Sequence, residues 1–343
     1  MNSDSTREAA SVRPDVPKEV RFSDVDADKA YTAAHRICAE IEKTVVGKKR
    51  EVKLLVTALL AGSHVLIEDV PGVGKTTLAS TLAAAAGLDF KRAQFTPDIT
   101  PSDITGFNIY NRSRESFEFT EGLVMTNILL ADEVNRASPK TQSALLEVME
   151  EGTVTVDGKT YGTPDPFMVI ATQNPSGFVG TYPLPESQLD RFGLRLTMGY
   201  PTVEEEMLIL DRDRDGAAGD RVEAVAGAAL VSFLRSLICD VRMDGEISRY
   251  LVTLVAATRT HSAVSLGAGP RASIALMRLC RAYAFMNSRS YVIPEDVYDI
   301  FGAAIEHRLV MSREAKLKGI SPKNVVDDVL GSVKIPYTGK RNA

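Results

Sequence analysis

Val65-Leu66-Ile67-Glu68-Asp69-Val70-Pro71-Gly72-Val73-Gly74-Lys75-Thr76-Thr77 is an apolar run that breaks into a glycine loop and then turns alanine-rich. That order predicts a buried strand, a phosphate-cradling loop and the start of a helix. In the loop of Pro71, Gly72, Val73 and Gly74, the backbone N–H groups freed by Gly72 and Gly74 can point at phosphate oxygens, and the helix that follows presents its positive end to them. Lys75 would reach the terminal phosphates of ATP, and the Thr76 hydroxyl, with Thr77 beside it, would join the shell of a bound magnesium ion. Asp69 stands where the pattern G-x-x-x-x-G-K-[ST] has its first glycine. A carboxylate near phosphates is unfavourable, so the loop is expected to differ in geometry at that end.

A second apolar run, Asn127-Ile128-Leu129-Leu130-Ala131-Asp132-Glu133, ends in two carboxylates. Beside a phosphate loop, such a strand can place Asp132 in the magnesium shell and Glu133 against the attacking water. A third, Phe167 to Gln173, ends at Asn174-Pro175, where the Asn174 amide can hold that water by hydrogen bonds. Between the last two runs, Ser138 as N-cap, Pro139 at the first position and Gly152 as stop mark a helix that buries Leu145, Val148 and Met149. Alternation in Thr105–Tyr110 and Ser116–Thr120 predicts one hairpin. Thr153–Val156 and Lys159–Tyr161 around Asp157-Gly158 predict another, with a type I′ turn.

Residues 1–25 lack periodicity and read as a flexible tail. Two amphipathic helices follow, over Ala27–Val45 and around Val52–Leu60. Leu194–Met198 reads as the last core strand. Beyond Pro201 only helical patterns occur: Val203–Leu210, Val222–Ile238, Ile247–Arg259, Ala272–Asn287 and Pro294–His307. Asp211 to Gly216 reads as a solvated stretch. The fold class is therefore α/β, a parallel-sheet core with hairpin inserts over 26–200, then an all-helical domain over 201–315 and a tail over 316–343.

Composition narrows the function classes. The 343 residues are 44% hydrophobic and 25% charged, as in ordinary globular proteins. No apolar run approaches the roughly 20 residues of a membrane span, and the start lacks a secretory apolar core, so a cytoplasmic location is expected. Cys38, Cys239 and Cys280 form no C-x-x-C pair and the four histidines are scattered, which offers neither a disulfide framework nor a zinc site. A net charge of −5 disfavours a nucleic-acid binder.

The motifs, in this order, resemble those of the MoxR family of AAA+ ATPases from about Ala27 to Val310. Leu130–Ala137, Lys140–Glu147 and Met149–Glu151 are similar to its most characteristic segment. Ala171–Pro175 resembles its sensor 1 element, Leu189-Asp190-Arg191-Phe192 its arginine-finger segment, and Gly269–Ser273 its sensor 2 motif. The two hairpins resemble inserts shared with magnesium chelatases and MCM helicases. The resemblance implies a P-loop AAA+ core and helical lid, forming a ring that is usually a hexamer, with ATP at subunit boundaries. It implies that Arg191 acts on the neighbour's γ-phosphate, with Arg195 and Arg136 as further candidates, and that Arg271 reports nucleotide state to the lid. It also implies remodelling or maturation of a partner protein, often one with a von Willebrand A domain. An ATP-operated switch with little turnover is the alternative, kept open by Asp69; a nucleic-acid motor is a third.

Overall fold

The computed structural model describes residues 26–173, 182–214 and 222–336. The expectations for the 1–25 tail and for Asn174 and Pro175 lie outside the described residues. The chain opens with α1 (Ala27–Thr44) and α2 (Lys49–Leu60). Asp26 caps α1 by accepting the Lys29 N–H. The stripes Ala30, Ala34, Ile37, Ile41 and Val52, Leu55, Val56, Leu59 are buried, as their helical spacing requires.

The core then runs β1 (Val65–Glu68), α3 (Lys75–Ala86), β2 (Phe90–Gln94), α4 (Pro101–Thr105), β3 (Gly106–Asn111), β4 (Ser116–Glu121), β5 (Ile128–Asp132), α5 (Pro139–Glu151), β6 (Thr153–Val156), β7 (Lys159–Gly162), β8 (Met168–Gln173), α6 (Glu186–Leu189) and β9 (Leu194–Leu196). Five of these strands form a parallel sheet in the order β2-β5-β8-β1-β9. Strands covered on both faces need apolar residues throughout rather than alternation, and β1, β5 and β8 have them. Glu68 lies level with Gln173, and Gln94 with Asp132, so the carboxyl ends of the strands finish together. β1 leads through α3 to the far edge at β2, and the reversal leaves a crevice at those ends, the usual place for a ligand.

Both hairpins form, as β3–β4 and β6–β7. The second turns through Asp157 at φ 49° and Gly158 at φ 80°, the two left-handed positions of a type I′ turn. The hairpins lean on one another: the Phe119 and Tyr161 rings stack with centroids 4.0 Å apart, and Asn108 Nδ2 donates to Asp157 Oδ2 at 2.8 Å.

The second domain comprises α7 (Val203–Arg214), α8 (Ala228–Cys239), α9 (Gly245–Thr260), β10 (Val264–Leu266), α10 (Pro270–Met286), α11 (Pro294–Ile305), β11 (Val310–Met311), α12 (Arg313–Leu317) and α13 (Pro322–Ser332). It departs from the sequence expectation at four points. α7 continues past its expected end at Leu210 through Asp211 to Arg214. The helix expected from Val222 starts only at Ala228, because the chain before it crosses the core, where the Val225 N–H donates to the Ala85 carbonyl at 2.9 Å. β10 and β11 add a short antiparallel pair, too brief to leave a pattern. Finally, the supposed tail from residue 316 holds α13, capped by Ser321 and anchored by buried Val325, Val326 and Val329. Among the described residues no helix is long and apolar enough to cross a membrane.

Candidate functional site

The glycine loop joins β1 to α3 at the carboxyl edge of the sheet. Gly72 and Gly74 both have φ 87°, a left-handed backbone that side chains resist. Gly74 is the N-cap of α3 and has no side chain to cap with, so the first N–H groups of the helix face outward. They border a cavity of about 280 Å³ walled by Pro71, Gly72, Gly74, Lys75, Thr76, Asp132 and Glu133, with Arg92 and Gln94 of β2 closing one side. Val73 instead packs against the core, and neither it nor Thr77 reaches the wall.

Lys75 is buried, and its Nζ donates to the Asp69 carbonyl at 2.6 Å. Burial pushes its ammonium below the usual lysine range, and the charges of Asp69, Asp132 and Glu133 oppose that. A cation held among carboxylates, under-solvated and next to free helix N–H groups, suits a polyphosphate. Asp69 corrects the sequence expectation. Its carboxylate turns away from the loop and accepts the N–H groups of Val70, Met198 and Gly199 at 2.8, 2.6 and 2.6 Å. It therefore adds no carboxylate to the cavity wall, although its charge still acts on Lys75.

β5 delivers the two acids differently. Asp132 is held by the Thr172 hydroxyl, which donates at 2.6 Å, and by Arg92 at 2.8 Å. Glu133 follows at φ 56°, with its N–H donating to Thr172 Oγ at 2.9 Å. A non-glycine residue in that region costs roughly 1–3 kcal/mol and is found where a side chain must be aimed. Arg136 Nη1 bonds the Glu133 carboxylate at 3.0 Å. Thr76 and Asp132 on one wall form an oxygen donor set that fits magnesium, a hard cation.

Arg191 and Arg271 lie elsewhere. Both pair with Glu150 near the end of α5, Arg191 at 3.1 Å and Arg271 at 2.5 Å, and Arg191 also donates to the Leu146 carbonyl. They line a second cavity of about 240 Å³ and do not border the first. The second domain clamps the Arg191 segment. Arg308 ion-pairs with Asp190 at 3.0 Å and donates to the Asp190 and Phe192 carbonyls, while His307 Nε2 bonds the Phe192 carbonyl at 2.9 Å. Burial lowers Arg308 to about 10, against the pull of Asp190. Of the further candidates, Arg136 stays with Glu133, and Arg195 is spent on Glu68 and Glu306 at 2.9 and 2.5 Å. Asn174 lies outside the described residues.

Residues 64–194 match the ATPase family associated with various cellular activities (AAA), and residues 256–329 match the AAA lid domain. The chain is 40% identical to the chaperone MoxR1 of Mycobacterium tuberculosis over 88% of its own length and 82% of that protein. It belongs to the MoxR family of AAA+ ATPases. The uncharacterized protein YeaC of Bacillus subtilis is 49% identical over 86% of this chain and 92% of its own. A crystal structure of a candidate ATPase from Cytophaga hutchinsonii superposes with a TM-score of 0.85 at 38% identity, covering 91% of this chain and 97% of that one.

Within this MoxR core, three positions lie in segments that resemble the family's motifs but were given no role of their own. Thr172, inside β8, links Asp132 and Glu133 through its hydroxyl. Gln142 is 1% exposed, and its amide donates to the carbonyls of Val134, Ala137 and Tyr182 at 3.2, 3.3 and 3.1 Å, pinning the turn after Glu133. A buried amide in the helix after a strand ending Asp-Glu was the available clue. Glu150 lies in the Met149–Glu151 segment, but nothing in its Glu150-Glu151 pair said that it would face Arg191 and Arg271.

Proposed function

We propose that the chain hydrolyses ATP at sites shared between identical subunits of a hexameric ring and uses the cycle to remodel or mature a partner protein. The carrying observation is the division of parts: Lys75, Thr76, Asp132 and Glu133 share one cavity, whereas Arg191 and Arg271 share another. A complete site then needs the first cavity of one subunit and the second of its neighbour. The loop N–H groups and Lys75 bind the phosphates. Magnesium, held by Thr76 and Asp132, supplies charge neutralisation when bound. Glu133, steadied by Arg136, takes the proton of the attacking water, with Asn174 orienting that water. Arg191 and Arg271 neutralise charge that develops on the neighbour's phosphates, a service worth about 10³–10⁵-fold in comparable enzymes.

The name of the Mycobacterium relative, a chaperone, supports protein remodelling as the output. The client we favour carries a von Willebrand A domain. The deciding experiment follows ATP turnover against protein concentration, with the mass of the assembly, for wild type and Glu133→Gln. Specific activity should rise as the ring forms, and the variant should bind ATP and assemble yet lose about 10²–10⁴ of turnover. Unchanged turnover in the variant would remove Glu133 from the chemistry.

A further inference from the structure

The chain leaves the core for the lid through residues 197–202, and this exit lies directly against the nucleotide loop. Asp69 opens the loop and is 7% exposed. One carboxylate oxygen accepts both the Met198 and Gly199 N–H groups, each at 2.6 Å, while the other accepts the Val70 N–H at 2.8 Å. The Asp69 carbonyl is the acceptor for Lys75 Nζ at 2.6 Å. A second contact runs beside the first: the Met198 methyl lies 3.9 Å from where a Cβ on Gly74 would stand, at the other end of the loop. Gly199 has φ 63°, so the backbone pivots immediately after the tether. Three residues further on, Thr202 exchanges hydrogen bonds with Glu205 in the first turn of α7.

A glycine at position 69 would cradle phosphate equally well but would leave the Met198 and Gly199 N–H groups without their acceptor. Hydrogen bonds to an ionised carboxylate are about twice as strong as neutral ones, and a buried donor left alone costs the whole desolvation of the group. The acidic residue is thus placed to serve the exit segment rather than the phosphates.

We propose that Asp69 is a positioning residue that couples the nucleotide loop to the core–lid exit. Phosphate in the loop draws Lys75 from the Asp69 carbonyl, and the adjustment passes through the carboxylate to Met198 and Gly199 and so to the base of α7. This rests on the loop's taking ATP, as proposed above, and adds the route by which occupancy reaches the lid.

The test is hydrogen–deuterium exchange of peptides over 197–200 in the full chain, with and without magnesium-ADP, for wild type, Asp69→Gly and Asp69→Asn. It is paired with ADP affinity and turnover. In wild type, exchange at 198 and 199 should be slow and should respond to ADP. In Asp69→Gly it should be at least tenfold faster and unresponsive, with ADP affinity within about threefold of wild type and turnover at least tenfold lower, although the consensus loop has been restored. Asp69→Asn keeps an oxygen for the exit N–H groups but turns its amide toward the Val70 N–H, and should fall between; if the glycine variant does not fold, this one decides with the same signs. Turnover at or above wild type in Asp69→Gly, a preserved ADP response, or ADP affinity falling in step with turnover would each overturn the coupling. Failure of wild type itself to bind ADP would instead remove the ATP reading and the coupling with it. It would be told apart by the faster apo-state exchange in the variants, which depends on no nucleotide.

Discussion

His64 and His307 carry neutral rings where a proton is unwelcome. His64 accepts the Val169 N–H on Nδ1 at 2.9 Å and donates from Nε2 to the Met149 carbonyl at 2.9 Å, a pairing that a doubly protonated ring cannot keep. Burial lowers its pKa to about 4, with the Met149 bond opposing and the Arg235 charge assisting. Burial also holds His307 well below the usual range, helped by the charge of Arg308 beside it. The unfolded chain takes up these protons near pH 6.5 and the folded chain does not, so stability rises with pH across this window and falls as pH drops from 6.5 toward 4. Each ring contributes a slope of up to about 1.4 kcal/mol per pH unit. Urea unfolding at several pH values should show a shallower slope for His64→Gln than for wild type; an equal slope would mean that His64 is protonated in the folded chain too. At this scale the gathering of Lys75, Thr76, Asp132 and Glu133 around one cavity was legible, because each sits at a fixed offset from a strand end. Asp69 was misread, because where a carboxylate points depends on Met198 and Gly199, far along the chain.

Among the elements, strands and hairpins announced themselves through apolar runs and the Asp157-Gly158 turn, and α5 through Ser138 and Pro139. α13 did not, although its Ser321 cap and Pro322 follow the same rules as α5. Its buried face has only three valines, and they become a face only against α9 and α11. Val325→Ala should therefore lower the denaturant midpoint by an amount equivalent to roughly 2 kcal/mol, two lost methyl groups plus a cavity. A midpoint unchanged from wild type would return this segment to the status of a tail. The stacking of Phe119 on Tyr161 was equally invisible, since each hairpin is complete in its own hydrogen bonds and nothing local says that the two should meet.

For the whole molecule, the two cavities make a prediction that neither makes alone. On the proposed shared site, Lys75→Ala should fail to hold phosphate but keep Arg191, and Arg191→Ala should bind nucleotide but offer its neighbour no finger. Mixed at equal amounts, the two inactive variants should regain part of the wild-type turnover, read as a maximum in activity against mixing ratio. No gain at any ratio would argue against a shared site. The sequence by itself determined the nucleotide loop, the acids at the end of β5, the parallel core and the family, because those signals are local: spacing along a strand, a cap, a turn dipeptide. Only the tertiary structure decided that Arg191 and Arg271 meet on Glu150, that Arg308 grips the Arg191 segment, and that Asp69 faces the exit to the lid. These contacts join residues 41 to 130 positions apart, and such pairings are settled by packing and by the need to satisfy buried charge, which no local pattern encodes.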